Sequence, residues 1–501
     1  MPLRRRTFLL GGLAGAGTGL AVFSSAPAAA ASYPFTLGVA SGEPSADGFV
    51  LWTRLAPRPL DQDGFGGMPD APVTVEWQVA ADEHFQNVVA DGSVSAVRAA
   101  AHSVHVELDG LPPGREFWYR FRADGHISQA GRTRTAPAVG TSPALTMLFA
   151  SCANYPSGYY TAYRRMAEEH PDLILHLGDY IYEGGGADVR AHTPSREITS
   201  LADYRVRHAQ YRADVDLQAA HHVAPWVLVW DDHEVENNYA NLVRDNDSPA
   251  GDFRARRAAA YRAYYEHMPL RAAQAPSGEN LQLYRRLRWG SLATFHMLDT
   301  RQYRSDQACG DGWKDCAEAD DPSRTLTGSA QESWLLDGLG QRLATWDLIG
   351  QQVFFAQRLS GAGNRSMDGW DGYRPNRTRI QDAWQASGNT STVVLTGDVH
   401  RHWAGNLMND YDAQDKVIGT ELVTTSVSSG GDGNPADDDT SSVNPHLKYN
   451  KNLRGYVRTV TRPTEMAVDF RVVDRVSVRD EPVRTERSYL IQAGAPGLQN
   501  P

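Results

Sequence analysis

The chain has 501 residues, more than one small core can support, which predicts two domains. With 41% hydrophobic and 22% charged residues, its composition is that of a globular protein and excludes a largely disordered chain. The net charge of −11 argues against nucleic acid or an anionic membrane as the main partner, although bound cations would let such a protein hold a small anionic substrate.

Residues 1–31 have the pattern of an export signal. Arginines at the start are followed by an apolar, Gly/Ala-rich run and by alanines typical of a cleavage site. The sequence Arg5-Arg6-Thr7-Phe8-Leu9 matches the twin-arginine pattern. An uncleaved membrane anchor is the alternative, which the short apolar run disfavours. We therefore expect a secreted or cell-wall-associated protein with no membrane span after signal removal.

Residues 33–138 alternate apolar and polar residues in short runs separated by Pro and Gly turns, which predicts strands. Trp52, Trp77 and Trp118 fit a small immunoglobulin-like or fibronectin-like β-sandwich. This segment has no cluster of titratable residues, so we assign it no catalytic role.

From residue 144 to about residue 485, strands alternate with helices, which predicts an α/β sandwich as the catalytic domain. Helices are predicted at 158–170, 204–220, 253–267 and 331–343, the second being Arg-rich and exposed on one face. His221 and His222 are interpreted as incidental residues in a surface turn. Residues 486–501 are predicted to be a tail with a short strand and an unstructured end.

Four apolar runs in the second domain each end at metal-type ligands. They are 145–150 before Ser151-Cys152, 173–177 before Gly178-Asp179 and Tyr182, 226–230 before Asp231-Asp232-His233-Glu234, and 393–396 before Gly397-Asp398-Val399-His400. Such runs are typical of strands buried on both faces, and ligands of open α/β sheets bind beyond the carboxyl ends of the strands. We therefore expect the ligand residues to meet at one rim of a sheet.

The residue types indicate two neighbouring metal sites. The thiolate, phenolate, imidazole and carboxylate of Cys152, Tyr182, His400 and Asp179 suit Fe(III) better than magnesium or calcium. Asp232 and Asp398, with Asp179 as a bridge, form an all-oxygen site suited to Ca²⁺. Two ions that share a carboxylate form a clamp for attack at phosphorus. His233, on the other side of the turn, is predicted to protonate the leaving oxygen.

Several of these residues also have structural interpretations. Asp179 and Asp398 could cap the turns that follow them, and Tyr182 could be a packed aromatic residue. Cys309 and Cys316 are predicted to form a local disulfide of little functional content. Cys152 is then unpaired, which favours a metal-bound thiolate over a buried thiol. His176 is predicted to be a core residue, and Arg301 is one of several arginines that could steer phosphate.

Four sequence blocks carry a family resemblance. They are Phe149-Ala150-Ser151-Cys152-x-Asn154-Tyr155, Gly178-Asp179-Tyr180-Ile181-Tyr182-Glu183, Trp230-Asp231-Asp232-His233-Glu234 and Thr396-Gly397-Asp398-Val399-His400. Individually they resemble metallophosphoesterase blocks, with the Asp-x-x-Tyr spacing of purple acid phosphatases. Together they resemble PhoD-type alkaline phosphatases, a group that includes the calcium- and iron-dependent phospholipase D of actinomycetes. The resemblance covers nearly the whole chain.

The resemblance implies an extracellular hydrolase of phosphomonoesters or phosphodiesters with an Fe(III)–calcium centre. It implies Cys152, Asp179, Tyr182 and His400 as iron ligands, and Asp179, Asp232 and Asp398 as calcium ligands. Asn237 or Asn238 would complete the calcium shell, a choice that the sequence leaves open. Asn154 and His233 are implied to face the phosphate.

Some members of this family end in a helix that caps the active site, whereas residues 488–501 predict a strand and an unstructured end. This difference favours bulkier diesters over a strict monoesterase. We therefore predict a secreted metal-dependent phosphoesterase, whose substrate is a small ester, a phospholipid or a cell-wall polymer. Phospholipase D activity is the alternative within this class. An exported metal-binding or phosphate-binding protein without turnover is the alternative from another class.

Overall fold

The computed structural model describes residues 32–245, 251–436 and 442–501, so the predicted export signal lies outside the described residues. Within them, the strands before residue 138 are β1 (Val39–Ser45), β2 (Gly48–Arg54), β3 (Val73–Ala80), β4 (Val88–Ala96), β5 (Ser103–Leu108), β6 (Glu116–Ala123), β7 (His126–Ile127) and β8 (Gly131–Arg134).

The strands after residue 138 belong mostly to two large sheets. They are β9 (Leu145–Ala150), β10 (Leu173–Leu177), β11 (Trp226–Val229), β12 (Arg285–Trp289), β13 (Ala293–Met297), β14 (Trp313–Lys314), β15 (Trp346–Gly350), β16 (Arg365–Ser366), β17 (Thr392–Thr396), β18 (His402–Met408), β19 (Val417–Val423), β20 (Leu447–Lys451), β21 (Arg454–Thr461), β22 (Glu465–Val473), β23 (Val483–Gln492) and β24 (Ala495–Gln499). The α-helices are α1 (Thr161–Glu168), α2 (Leu201–Arg212), α3 (Val215–Val223), α4 (Phe253–His267), α5 (Gly328–Gln341) and α6 (Arg374–Ala386).

The first large sheet has ten strands in the order β24-β23-β22-β21-β9-β10-β11-β1-β2-β5. Its centre, β9, β10 and β11, is parallel. The second sheet has seven strands in the order β12-β13-β15-β17-β19-β18-β20, with β13, β15, β17 and β19 parallel. A third, antiparallel sheet contains β4, β3, β6, β7 and β8.

The two large sheets pack face to face, and one apolar core fills the space between them. This core includes Leu175 and Leu177 of β10 together with Leu348 of β15 and Leu395 of β17. A second core lies between the seven-stranded sheet and helices α5 and α6. The third sheet packs through Val79 and Phe121 against β1, β2 and β5. The architecture confirms the predicted α/β sandwich preceded by a β-sandwich. The β-sandwich consists of the third sheet and of β1, β2 and β5, which also form one end of the ten-stranded sheet.

The four apolar runs form the buried strands β9, β10, β11 and β17, but they do not belong to one sheet. β17 is in the seven-stranded sheet, so the prediction of a single rim is wrong in this respect. The reason is that β17 pairs with β15 and β19, partners far from β9 to β11 in the sequence. The rim is therefore shared by two facing sheets.

The structure corrects other local predictions. The predicted helix 204–220 is two helices, because Asp214 caps a new one by accepting the N–H groups of Asp216 and Leu217. The expected exposed arginines of α2 are buried, and so is His221, which stacks on Trp226. Residues 495–499 form β24, since they pair with β23 and extend the sheet, so the end of the chain is not unstructured.

Candidate metal centre

The predicted ligands follow buried strands in tight turns with unusual backbone conformations. Cys152, Asp179, Asp398 and His400 have φ values of 61°, 55°, 66° and 54°. Non-glycine residues rarely adopt this left-handed region, and such conformations concentrate at functional sites because the surrounding structure must hold them. Local backbone geometry therefore marks the same turns that the sequence blocks marked.

Two glycines allow these turns to approach each other. A Cβ at Gly178 would lie 2.5 Å from the Cβ of Asp231, which joins the turns after β10 and β11. A Cβ at Gly397 would lie 2.8 Å from the Cβ and Oγ of Ser151, so the end of β17 in one sheet meets the end of β9 in the other. Only glycine permits these distances, and ligands from both sheets can consequently share one site.

The first group of donors lies at the junction of the two sheets. Cys152, Asp179 and His400 each place one ligand atom within 4.8 Å of the others. The Tyr182 hydroxyl donates to Asp179 Oδ2 at 2.8 Å and lies 3.1 Å from His400 Nε2. Ser429 Oγ lies 2.7 Å from that hydroxyl. The structure thus brings together the four residues predicted to bind iron.

A second group of donors shares one carboxylate with the first. Ligand atoms of Asp179, Asp232 and His233 lie within 4.8 Å of one another. Asp232 Oδ2 accepts the Asn238 N–H at 2.6 Å. Asp179 Oδ1 and Asp232 Oδ1 are buried without a hydrogen-bond partner among the described residues. Buried carboxylate oxygens are normally satisfied, so these two oxygens fit positions that hold a cation.

Two glutamates fix the orientation of these donors. Glu234 accepts the N–H groups of Asp179 at 3.1 Å and Asp231 at 2.7 Å, which holds the turns after β10 and β11 together. Glu183 Oε2 lies 2.7 Å from His233 Nδ1. The His233 ring also packs against the Tyr182 ring, with centroids 4.1 Å apart and the planes tilted by 31°. Because Nδ1 is occupied by Glu183, Nε2 remains available to the site.

Arg301 is a buried cation beside the second donor group. Its Nε donates to Asp231, and its terminal nitrogens donate to Asp368 at 2.7 and 2.9 Å. It also lies 3.7 Å from Asp232 Oδ1, and its side chain is 0% exposed. The prediction that Arg301 steers phosphate does not match these contacts, because carboxylates occupy its donors. Arg301 instead holds the carboxylates of Asp231 and Asp368 in place next to Asp232.

The remaining predicted residues lie around the two groups. Asp398 does not join either group within 4.8 Å. The side-chain amide of Asn154 makes no hydrogen bond to a described residue, and its Oδ1 is buried. Asn238 contacts Asp232 directly, whereas Asn237 is exposed and donates to Asp245. Of the two asparagines, Asn238 is therefore the one adjacent to the predicted calcium ligands.

Comparisons with known proteins agree with this geometry. The PhoD-like phosphatase family matches residues 147–470, and the N-terminal domain of PhoD-like phosphatases matches residues 21–137. The chain belongs to the PhoD-like phosphatase family. It is 47% identical to alkaline phosphatase D of Bacillus subtilis (strain 168) over 520 residues, covering 99% of this chain and 88% of that protein.

Solved structures extend the comparison to the fold. The structure of PhoD superposes with a TM-score of 0.91 at 48% identity, covering 95% of this chain and 93% of that chain. The purple acid phosphatase PPD1 of yellow lupin (Lupinus luteus) superposes with a TM-score of 0.55 at 13% identity, covering 91% and 74%. The second likeness shows a shared fold. Family and fold together make this PhoD-like phosphatase a phosphoric ester hydrolase.

Electrostatics in this PhoD-like phosphatase favour a bound cation. Burial and the charge of Asp179 raise the pKa of the Cys152 thiol well above its ordinary value. Burial and the neighbouring carboxylates raise the pKa of Asp179 well above its ordinary value, and that of Asp398 to about 7. A cation among these groups would stabilise their deprotonated forms. The donor set therefore fits metal ions.

The two histidines of the site differ in charge state. Burial and the nearby Arg454 lower the pKa of His400 to about 3, which keeps the ring neutral, as a metal ligand requires. Burial also opposes the charged form of His233, but Glu183, Asp232 and Asp179 together raise its pKa well above the ordinary value. These three carboxylates thus favour the protonated form of His233.

Several residues around the site were not predicted from the sequence. The predicted disulfide between Cys309 and Cys316 is present, but its loop is part of the surroundings of the site. Asp311 in that loop accepts a hydrogen bond from Asn238 Nδ2 at 2.6 Å. Glu183 could have been found from its position next to Tyr182. Ser429 had no sequence signal, because only tertiary packing brings it to Tyr182.

Proposed function

We propose that this PhoD-like phosphatase is a secreted phosphoesterase that cleaves phosphomonoesters, phosphodiesters or both, with Fe(III) and Ca²⁺ as cofactors. The observation that carries the proposal is the carboxylate of Asp179, which belongs to both donor groups. A shared carboxylate between two adjacent sites is the arrangement expected of a binuclear phosphoesterase.

Cys152, Asp179, Tyr182 and His400 would hold Fe(III), because a thiol, a phenol and an imidazole form a set that calcium does not prefer. Asp179, Asp232 and Asp398 would hold Ca²⁺, with Asn238 next to Asp232. When bound, the two ions would lower the pKa of a water molecule and neutralise negative charge on the phosphate.

The protein's own groups would bind and orient the ester. The Asn154 side-chain amide makes no hydrogen bond to a described residue, so its NH2 group could donate to a phosphoryl oxygen. Glu183 holds the His233 ring through Nδ1, so the proton on Nε2 faces the site. In this proposal His233 transfers that proton to the leaving oxygen as the P–O bond breaks. The carboxylates of Glu183, Asp232 and Asp179 raise the pKa of His233, which favours the protonated form that this transfer needs.

Diesters are proposed as substrates along with monoesters because the described C-terminal residues pack away from the site. A Cβ at Gly497 in β24 would lie 3.3 Å from Val417, at the start of β19, whereas the site lies beyond the other end of that strand. Secretion is proposed from the twin-arginine pattern of residues 1–31. Among the described helices, none is long and apolar enough to span a membrane.

Parallel assays test this proposal. The purified protein would be incubated with p-nitrophenyl phosphate, bis-p-nitrophenyl phosphate and phosphatidylcholine, and its iron and calcium would be measured in the same sample. We expect turnover of at least one p-nitrophenyl ester and both metals in the sample. Release of head group from phosphatidylcholine, without cleavage of the other esters, would favour phospholipase D instead.

Chelation separates the calcium assignment from the rest of the proposal. We expect a calcium chelator to abolish turnover and added Ca²⁺ to restore it. Full activity in excess chelator would contradict the assignment of calcium, while leaving the phosphoesterase activity established by the first assay.

A further inference from the structure

Arg358 is a guanidinium without a protein acceptor beside the candidate metal centre. Its Nε is buried and unpartnered, and its side chain makes no hydrogen bond or ion pair to any described residue. Other buried arginines near the site are paired, as Arg301 is with Asp231 and Asp368. Hydrogen-bond donors that are withdrawn from water and left without an acceptor cost free energy, which a ligand oxygen would offset.

Three aromatic rings hold Arg358 in place. Its guanidinium carbon lies 4.6 Å from the ring centroid of Phe354, 4.9 Å from that of Trp313 and 5.8 Å from that of Trp403. Phe354 and Trp403 are buried at 4% exposure, whereas Trp313 is 44% exposed. The rings fix the guanidinium as a rigid group, and the indole of Trp313 presents a large apolar surface to solvent next to it.

This arrangement adjoins both sides of the candidate site. Trp313 lies in the disulfide loop, two residues after Asp311, which contacts Asn238 beside Asp232. Arg358 also lies over Trp403, three residues after His400, and the carboxylates of Asp398, Asp371 and Glu421 act on its charge. The loop is fixed by pairing of Trp313 with Ser366 and by the disulfide, so the indole has a defined position. Trp313 and Arg358 therefore lie together next to the candidate metal centre.

We propose that Trp313 and Arg358 bind the leaving-group side of the phosphate ester and favour esters of aromatic alcohols. The aromatic ring of the ligand packs on the exposed indole face, while Arg358 donates hydrogen bonds to an oxygen of the same ligand. This inference rests on the proposed function, since it assigns a leaving-group subsite to that same site.

Two non-hydrolysable probes test the subsite without requiring turnover. Dissociation constants of phenylphosphonate and methylphosphonate would be measured by calorimetry on the purified protein and its variants. We expect Trp313→Ala to weaken phenylphosphonate binding about 2- to 10-fold, the range of an aromatic pair, and to leave methylphosphonate unchanged. Arg358→Met should weaken both probes by about 10-fold or more, and Arg358→Lys should recover part of this loss.

Tyr33→Ala is the matched control, because Tyr33 is 41% exposed and packs against Phe35 and His126 in the N-terminal β-sandwich. It should leave both dissociation constants unchanged. Equal weakening of the two probes in Trp313→Ala would show a merely structural loop, and unchanged constants in Arg358→Met would remove the guanidinium from the subsite. Either result overturns the inference. Absence of turnover by the unmodified protein would instead count against the proposed function, which the calorimetry does not require.

Discussion

Replacement of Arg301 by Met should destabilise the protein and weaken its metal site together. Arg301 is completely buried and is shared by Asp231 and Asp368, with Asp232 3.7 Å away. Removal of one partner of a buried ion pair costs about 3–5 kcal/mol, because the remaining charge is left without compensation. Here Asp231 loses its partner, whereas Asp368 keeps Arg304 at 3.1 Å, so we expect a decrease in the free energy of unfolding within that range.

The second consequence concerns the geometry of Asp232. Removal of groups that orient metal ligands commonly lowers metal affinity about 10- to 100-fold. We expect a loss of calcium affinity in that range for Arg301→Met, measured by calcium titration of the metal-depleted protein. Urea denaturation followed by tryptophan fluorescence measures the change in stability.

A second buried pair supplies the control. Arg205 binds Glu266 through two hydrogen bonds of 2.6 Å, and both side chains are 4% exposed, but the pair joins α2 to α4 away from the donors. Arg205→Met should lower stability by a comparable amount and leave calcium affinity unchanged. The Arg301→Met variant could instead keep both the stability and the calcium affinity of the unmodified protein. That result would refute the assignment of Arg301 as the group that holds Asp231 and Asp368 in place next to Asp232.

Three further predictions address the site and the core. Tyr182→Phe should remove the visible charge-transfer absorption expected of Fe(III) bound to a phenolate, and an identical spectrum in the variant would contradict this ligand. His233→Ala should lower kcat about 10²- to 10⁴-fold while iron and calcium contents stay the same; loss of metal together with activity would identify His233 as a ligand. Burial and nearby arginines lower the pKa of His208 to about 3 in the folded protein. Between pH 6.5 and pH 3 the unfolded chain therefore binds one more proton at this residue than the folded protein does. The free energy of unfolding consequently falls as the pH falls, by about 2 kcal/mol at pH 5. Urea denaturation at pH 8 and pH 5 should therefore show a smaller pH dependence for His208→Leu than for the unmodified protein, and equal dependence would exclude this contribution.

The sequence predicted the candidate site better than it predicted the surroundings of the site. Cys152, Asp179 and His400 could be grouped because each follows an apolar run, and buried parallel strands present such residues at their carboxyl ends. This argument needs only local patterns. It does not depend on which strands are neighbours, which explains why the residues were grouped correctly although β17 lies in the second sheet.

The errors share one physical origin, which is the burial of polar side chains by distant partners. Arg207 on α2 looked like part of an exposed face, but it donates to the carbonyls of Gly184 and Pro194 and is completely buried. His221 looked like a surface residue, but it accepts or donates a hydrogen bond with the Tyr180 hydroxyl at 2.9 Å. No local periodicity reveals such contacts, since a charged residue is usually exposed unless a specific partner exists elsewhere in the chain.

The candidate metal centre therefore forms when the two sheets pack against each other, because each sheet supplies some of its donors. Asp179 comes from one sheet and His400 follows a strand of the other, and the two meet where Gly397 and Ser426 approach Ser151. Several donors there adopt left-handed backbone conformations, which cost free energy unless surrounding contacts hold them. Cations that bind across this junction would stabilise the folded state in proportion to their affinity, because the unfolded chain does not bring these donors together. It follows that depletion of metal should weaken the contact between the sheets as well as remove activity.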